Sequence, residues 1–164
     1  MDLNIFLPDI DIEGYINPLS KLIRENKPKR GLEIGFCWGA SAYSYLTSTK
    51  GTLLSIDIDD NKSREELFRN SFKKWDIKYG DSHNILPTLK RWYDYIYVDG
   101  SHEYKDVIQD LRDVWKLHSG IIVCDDYGTK EGVRKAVDEF SSDTEEKIEI
   151  HPLEGSSNGA IWFQ

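Results

Sequence analysis

Apolar and polar positions change period repeatedly along this chain, and the changes mark an alternation of strands and helices. INPLSKLIREN (Ile16 to Asn26) sets Ile16, Leu19, Leu22 and Ile23 on one helical face and stops before Pro28. RGLEIGFCWG (Arg30 to Gly39) is a short apolar run broken by glycines, and ASAYSYLTS (Ala40 to Ser48) reads as the helix after it, ending before Gly51. TLLSIDID (Thr52 to Asp59) predicts a second buried strand. An amphipathic helix begins near Ser63, where Ser63 and Glu66 have capping-box spacing. A brief strand centres on Ile77, HNILPTLKRW gives a helical turn despite Pro87, and YDYIYV (Tyr93 to Val98) is a fourth strand. Glu103 to Leu117 places Val107, Ile108, Leu111, Val114, Trp115 and Leu117 on one broad apolar face, the pattern of a helix lying on a sheet. GIIVCDDY (Gly120 to Tyr127) is a fifth strand and EGVRKAVDEF (Glu131 to Phe140) a further helix. KIEIHPL and GAIWFQ, joined through EGSSNG, predict a closing hairpin.

Such alternation predicts an α/β fold with a mostly parallel sheet, right-handed crossovers and helices on both faces. Ligands in these sheets bind beyond the C-terminal strand ends, near the point where strand order reverses. The residues leaving the strands are therefore the candidates: Glu33, Gly35 and Gly39, then Asp57 and Asp59, then Gly80, Asp81 and Ser82, then Asp99 through His102, then Asp125 and Asp126. One Asp at such an exit is an ordinary helix cap. Carboxylates gathered from five exits repel and raise one another's pKa unless a cation or ligand compensates.

Composition narrows the partners. With 21 Lys and Arg against 29 Asp and Glu the net charge is −8, and no Lys/Arg-rich block stands out, so no nucleic-acid partner is expected. No apolar run reaches membrane-spanning length, and the opening MDLNIFLPDIDIEG carries acids where a signal peptide carries bases, so a soluble cytoplasmic protein without a membrane partner is expected. Cys37 and Cys124 imply neither a disulfide framework nor a zinc site; both read as small packed residues.

The glycine segment has the spacing Glu-x-Gly-x-x-x-Gly, which differs from the GxGxxG dinucleotide fingerprint and argues against a dehydrogenase. A nucleoside ligand without pyrophosphate relaxes that demand. The plainer alternative is a glycine turn that packs a strand closely on a helix.

GLEIGFCWGAS, LLSIDID, GDS, YDYIYVDGSHEYKDVIQDL, GIIVCDDYGTKEGVRKAVDEF and IWFQ together resemble the class I S-adenosylmethionine-dependent methyltransferases. The nearest likeness is to the macrocin-type sugar O-methyltransferases, with a more distant one to catechol O-methyltransferases. It covers nearly the whole chain after about residue 30, so a cofactor-binding domain over 30–164 would follow a segment, 1–29, with one helix. The resemblance implies a Rossmann-like, doubly wound, seven-stranded sheet whose last strand is antiparallel. It also implies that Glu33, Gly35 and Gly39 lie along the methionine part of the cofactor, that Asp57 accepts from the ribose hydroxyls, and that Asp81 and Ser82 sit near the adenine. Asp99, Asp125 and Asp126 match the magnesium-holding positions of metal-dependent members, and His102 matches a proposed general base.

Each reading has a plainer competitor. Asp57 could only cap a turn, though its two oxygens suit two ribose hydroxyls. Asp99 could close the methionine side of the pocket while Asp125 and Asp126 merely begin a loop, since consecutive strand residues point opposite ways unless the chain bends. A loop histidine such as His102 is commonly solvated. Trp38 and Tyr127 flank the expected mouth. The implied function is methyl transfer to a hydroxyl of a small molecule, a sugar or a vicinal diol, with a divalent metal. The alternatives are a metal-independent methyltransferase and a noncatalytic cofactor-binding or partner-binding module. Relatives carry a longer stretch before the first strand, so a second copy of the chain, in a homo-oligomer, is expected to help complete the substrate pocket.

Overall fold

The computed structural model of the chain describes residues 17–154 and 157–162. Helix α1 (Asn17–Asn26) leads to β1 (Arg30–Ile34), α2 (Ala40–Ser48), β2 (Thr52–Asp57), α3 (Lys62–Ser71) and β3 (Trp75–Tyr79). A single short helix, α4 (Ser82–Ile85), and a 3-10 turn over Leu86–Thr88 connect β3 to β4 (Tyr93–Val98). Helix α5 (Tyr104–Trp115), β5 (His118–Cys124), α6 (Glu131–Thr144) and the hairpin β6 (Glu149–Glu154) and β7 (Ser157–Trp162) follow.

The seven strands form one sheet in the order β3-β2-β1-β4-β5-β7-β6. Strands β1 to β5 pair in parallel, while β7 runs antiparallel to both β5 and β6, so β7 alone is reversed. This is the expected Rossmann-like, doubly wound sheet. The reversal of strand order falls between β1 and β4, which puts their C-terminal ends on either side of a crevice.

The near-continuous apolar runs have their cause in this architecture, because a central parallel strand is buried on both faces. One face packs Leu19, Ile23, Tyr45, Phe68 and Trp75 from α1, α2, α3 and β3 against Tyr95 and Tyr97. The other packs Leu111, Val114, Val137 and Phe140 from α5 and α6 against Leu32, Ile96, Ile122 and Trp162. Among the described residues no helix is long and apolar enough to cross a membrane.

Several local expectations are corrected. Helix α3 is capped by Asn61, whose side chain accepts from the Arg64 N–H at 3.2 Å, so the Ser63–Glu66 box is not used. Strand β5 begins at His118, ahead of Gly120, because His118 pairs with Tyr93 across an irregularity in the ladder. Cys124 is buried as expected, but Cys37 is exposed. Ile16, at the head of the first predicted helix, lies outside the described residues.

Candidate functional site

The hydrogen-bond ladder of the sheet runs one residue beyond each strand and so gathers the exits into one place. The Gly35 N–H donates to Ile56 O at 2.9 Å, Gly80 to Asp57 O at 2.8 Å, Asp99 to Ile34 O at 2.8 Å and Asp125 to Val98 O at 3.0 Å. Between them opens a pocket of about 530 Å³ whose lining includes Gly35, Asp57, Asp81, Ser82 and Asp99.

Three residues of the β1–α2 turn have positive φ: Gly35 at 88°, Cys37 at 45° and Gly39 at 83°. Glycine adopts this region freely, whereas Cys37 does so at a cost. Asp57 holds the turn there. Its Oδ2 accepts from the Phe36 and Cys37 N–H groups at 2.8 and 2.7 Å, and its Oδ1 accepts from Asp59 N–H at 2.8 Å. A carboxylate offers about four lone-pair sites, so Oδ1 keeps room for a further donor from the pocket. Gly35 is required for a second reason. A Cβ there would collide with the carbonyl oxygen of Asp99, so glycine alone lets the β1 and β4 exits touch.

Glu33 and Gly39 do not line the pocket. Glu33 is 1% exposed and accepts hydrogen bonds from Ser41 of α2 and Ser55 of β2, beneath the turn. Burial, opposed by those two hydroxyls, pushes its carboxyl up to about 7. A Cβ at Gly39 would meet the rings of Phe68 and Phe36, which makes it a packing glycine at the head of α2.

At the far side of the pocket Asp81 caps α4, accepting from His83 N–H at 2.9 Å. Ser82 donates to Asp110 Oδ1 at 2.7 Å. Asp110 also lines the pocket although it lies on α5, with a side chain only 3% exposed. Burial pushes its carboxyl up to about 6. Sequence reasoning missed this residue; the available signal was an acid placed three residues after Val107 and four before Val114, on the apolar stripe of a helix. Cys37 and His83 line the pocket too and were not foreseen. Trp38 lines the mouth as expected and carries the Arg64 guanidinium 5.2 Å from its ring centroid. Tyr127 does not line the pocket, and its hydroxyl donates to Asp138 at 2.9 Å.

Beside the pocket, Asp99, His102 and Asp126 offer ligand atoms that all lie within 4.8 Å of one another. His102 Nε2 is 2.8 Å from Asp126 Oδ2 and 3.8 Å from Asp99 Oδ1. The Asp99 side chain is half-buried, and desolvation, partly offset by His102 and reinforced by Asp125 and Asp126, pushes its carboxyl up to about 6. The Asp99 carboxylate, and then Asp126, raise the His102 imidazole above its ordinary value against the opposing effect of burial.

Asp125 is not part of this group. It is 5% exposed, its Oδ2 accepts from the Tyr97 hydroxyl inside the sheet, and its Oδ1 accepts from Asp126 N–H at 2.7 Å. The chain does bend, with Asp126 at φ 60°, but the bend follows Asp125, whose carboxylate is taken by Tyr97 and the Asp126 N–H while that of Asp126 meets His102. Of the three aspartates expected from the sequence, the structure brings Asp99 and Asp126 together with His102, and Asp125 lies outside that group.

Comparison with known proteins gives a concordant picture. The family model described as "Methyltransferase domain" matches residues 32–127, more than half of the chain. No curated protein matches in sequence. Among solved structures, a candidate O-methyltransferase of Klebsiella pneumoniae superposes with a TM-score of 0.78 at 18% identity, covering 94% of this chain and 81% of that one. A Podospora anserina methyltransferase with S-adenosylhomocysteine bound gives 0.65 at 22%, covering 89% and 76%. An O-methyltransferase of tomaymycin synthesis from Streptomyces achromogenes, in complex with S-adenosylmethionine, gives 0.67 at 19%, covering 89% and 78%. At these identities the structures share the fold.

Proposed function

Because the chain belongs to the methyltransferase-domain family, we propose that it transfers a methyl group from S-adenosylmethionine to a hydroxyl of a small molecule, such as a sugar or a vicinal diol. The observation that carries this reading is the meeting, at Asp99, of the glycine-floored pocket and the Asp99–His102–Asp126 group. The pocket would take the nucleoside, with Asp57 toward the ribose and Asp81, Ser82 and Asp110 toward the base. The solved relatives that hold S-adenosylmethionine or its product in the same fold support that choice of donor.

The sulfonium methyl is already activated, so the protein contributes placement and a proton acceptor. The acceptor oxygen attacks the methyl carbon in line with the C–S bond. The C–O bond forms as C–S breaks, S-adenosylhomocysteine leaves as a neutral thioether, and the hydroxyl proton passes to a base. Asp99 and Asp126 supply the hard oxygen donors that magnesium takes while keeping its waters, and the His102 imidazole admits manganese or zinc as well. A cation held there would lower the pKa of the acceptor hydroxyl.

The 2.8 Å contact between His102 and Asp126 favours a second reading without metal, in which Asp126 orients the imidazole and His102 takes the proton. Trp38 and Ile58, 58% and 73% exposed, are apolar surface at the mouth that the acceptor, or a second copy of the chain, would cover. Two unpaired cysteines suit a reducing compartment, which we propose to be the cytoplasm.

Calorimetric titration with S-adenosylhomocysteine tests donor binding. Methyl transfer to catechol and to a sugar panel, with and without EDTA, tests the rest. Absence of nucleoside binding would overturn the proposal, and binding without transfer would favour the noncatalytic module.

A further inference from the structure

At the opposite edge of the sheet, a groove of about 590 Å³ crosses the N-terminal ends of β1, β2 and β3. Arg30, Thr52, Trp75 and Tyr93, the first residues of four strands, line it. So do six cations, Arg30, Lys73, Lys74, Lys78, Lys90 and Arg91, all exposed. One acid lines it, Asp76, and that carboxylate is already paired with Arg69 at 2.9 Å. Lys78, Lys90 and Arg91 have no ion-pair partner among the described residues. A chain of net charge −8 thus concentrates unpaired positive charge in one concavity.

The topology explains how the groove arises. On the face carrying Leu32 and Leu54, strand register places Asp76 beside Leu54 and Lys78 beside Ile56. The β3–β4 connection, α4 and one 3-10 turn, is too short to lay a full helix over this edge, so Leu54 and Leu89 stay half-buried as an apolar floor. Lys90 and Arg91 then rim it from the segment entering β4.

We propose that this groove binds a small phosphate-bearing ligand with an apolar body, at a site separate from the methyl-transfer pocket. Guanidinium and ammonium groups converging on one concavity are suited to a phosphate, through charge-assisted hydrogen bonds and Arg91 in bidentate fashion. The leucine floor takes the body of the ester. The volume is that of a small-molecule site. Three adjacent strands span only about 10 Å, so a compact anion fits the groove better than a nucleic-acid strand. The strand length separates the two sites by roughly 15–20 Å, so this ligand would not be methyl donor or acceptor.

The test is amide-shift mapping of the isotope-labelled full chain at low salt, titrated with inorganic phosphate, inorganic pyrophosphate, phenyl phosphate and a twenty-nucleotide RNA. Pyrophosphate and phenyl phosphate should give saturable shifts at Arg30, Thr52, Lys78 and Arg91 and none at Gly35 or Asp57, with phenyl phosphate tighter than phosphate. The Lys78→Glu/Arg91→Glu double variant should weaken both at least tenfold with an unchanged circular dichroism spectrum, and Lys90→Ala should weaken them by a smaller factor. Shifts that never saturate, or undiminished affinity in the double variant, overturn the proposal. Tighter RNA binding in the groove also overturns it, in favour of an extended polyanion. S-adenosylhomocysteine added to the same sample reports on the other pocket through different amides, so the two readings fail independently.

Discussion

His102 and Asp126 reach each other from the exits of different strands, and the imidazole Nε2 stands 2.8 Å from the carboxylate Oδ2. Their pairing joins the β4 and β5 exits, where the proposed function places the loss of the substrate hydroxyl's proton. If a divalent cation sits among Asp99, His102 and Asp126, EDTA should abolish transfer and added magnesium or manganese should restore it, with Asp126→Ala removing both the activity and the ion's effect on product binding. Retention of the rate in EDTA, together with its loss in His102→Ala by a factor of about 100 or more, assigns the proton to the imidazole instead. A radiolabelled methyl-transfer assay reads both outcomes.

Asp57→Ala removes the acceptor of three backbone N–H groups and the group that the proposed function places toward the ribose. Affinity for S-adenosylhomocysteine should fall at least 100-fold by calorimetry. The unsatisfied amides should lower stability by about 2 kcal/mol. A variant that binds the nucleoside as tightly as the parent would remove Asp57 from the ribose site.

Gly35→Ala combines a left-handed backbone with a steric collision against Asp99. Neither partner can yield, because both are main chain in the middle of the sheet. The expected loss exceeds about 4 kcal/mol, enough to leave little folded protein, and denaturant unfolding measures it. Alanine at Gly80, whose added Cβ would meet only the Ile85 side chain, should be milder despite its φ of 141°.

Glu33 should make stability depend on pH. Its folded pKa is about 7 against an ordinary 4.5, so between those values the native state holds a proton that the unfolded chain has released. Stability therefore falls as pH rises through this window and levels off above it. Glu33→Gln carries no such proton. It should gain on the parent by up to ~3 kcal/mol between pH 4.5 and 8, read as a shift of the urea midpoint. Equal pH dependence in the two proteins would mean that Glu33 ionises normally.

The segments read most accurately from sequence were those where local pattern and tertiary demand agree. ASAYSYLTS has the predicted bounds because a glycine turn and Gly51 punctuate it on both sides, and YDYIYV ends as predicted at the Asp99 exit. Asn61 won over Ser63 as a cap because its side chain, one residue before α3, reaches the Arg64 N–H, whereas Ser63 already lies in the first turn. The inward rotation of Asp125 was not legible, since it depends on the Tyr97 hydroxyl from a neighbouring strand. Asp110 was hidden by the apolar stripe around it. The basic groove escaped because Arg30, Lys78 and Arg91 are scattered along the chain and only strand register brings them together.

Acids line the pocket at one end of the strands and cations line the groove at the other, so among the described residues charge of opposite sign is set apart along the β-direction. Such a separation should draw anions toward the groove and cations toward the pocket. On a chromatographic resin, even at a pH above its isoelectric point, the protein should adhere to a cation exchanger by a single pole and release as salt shortens the reach of that field.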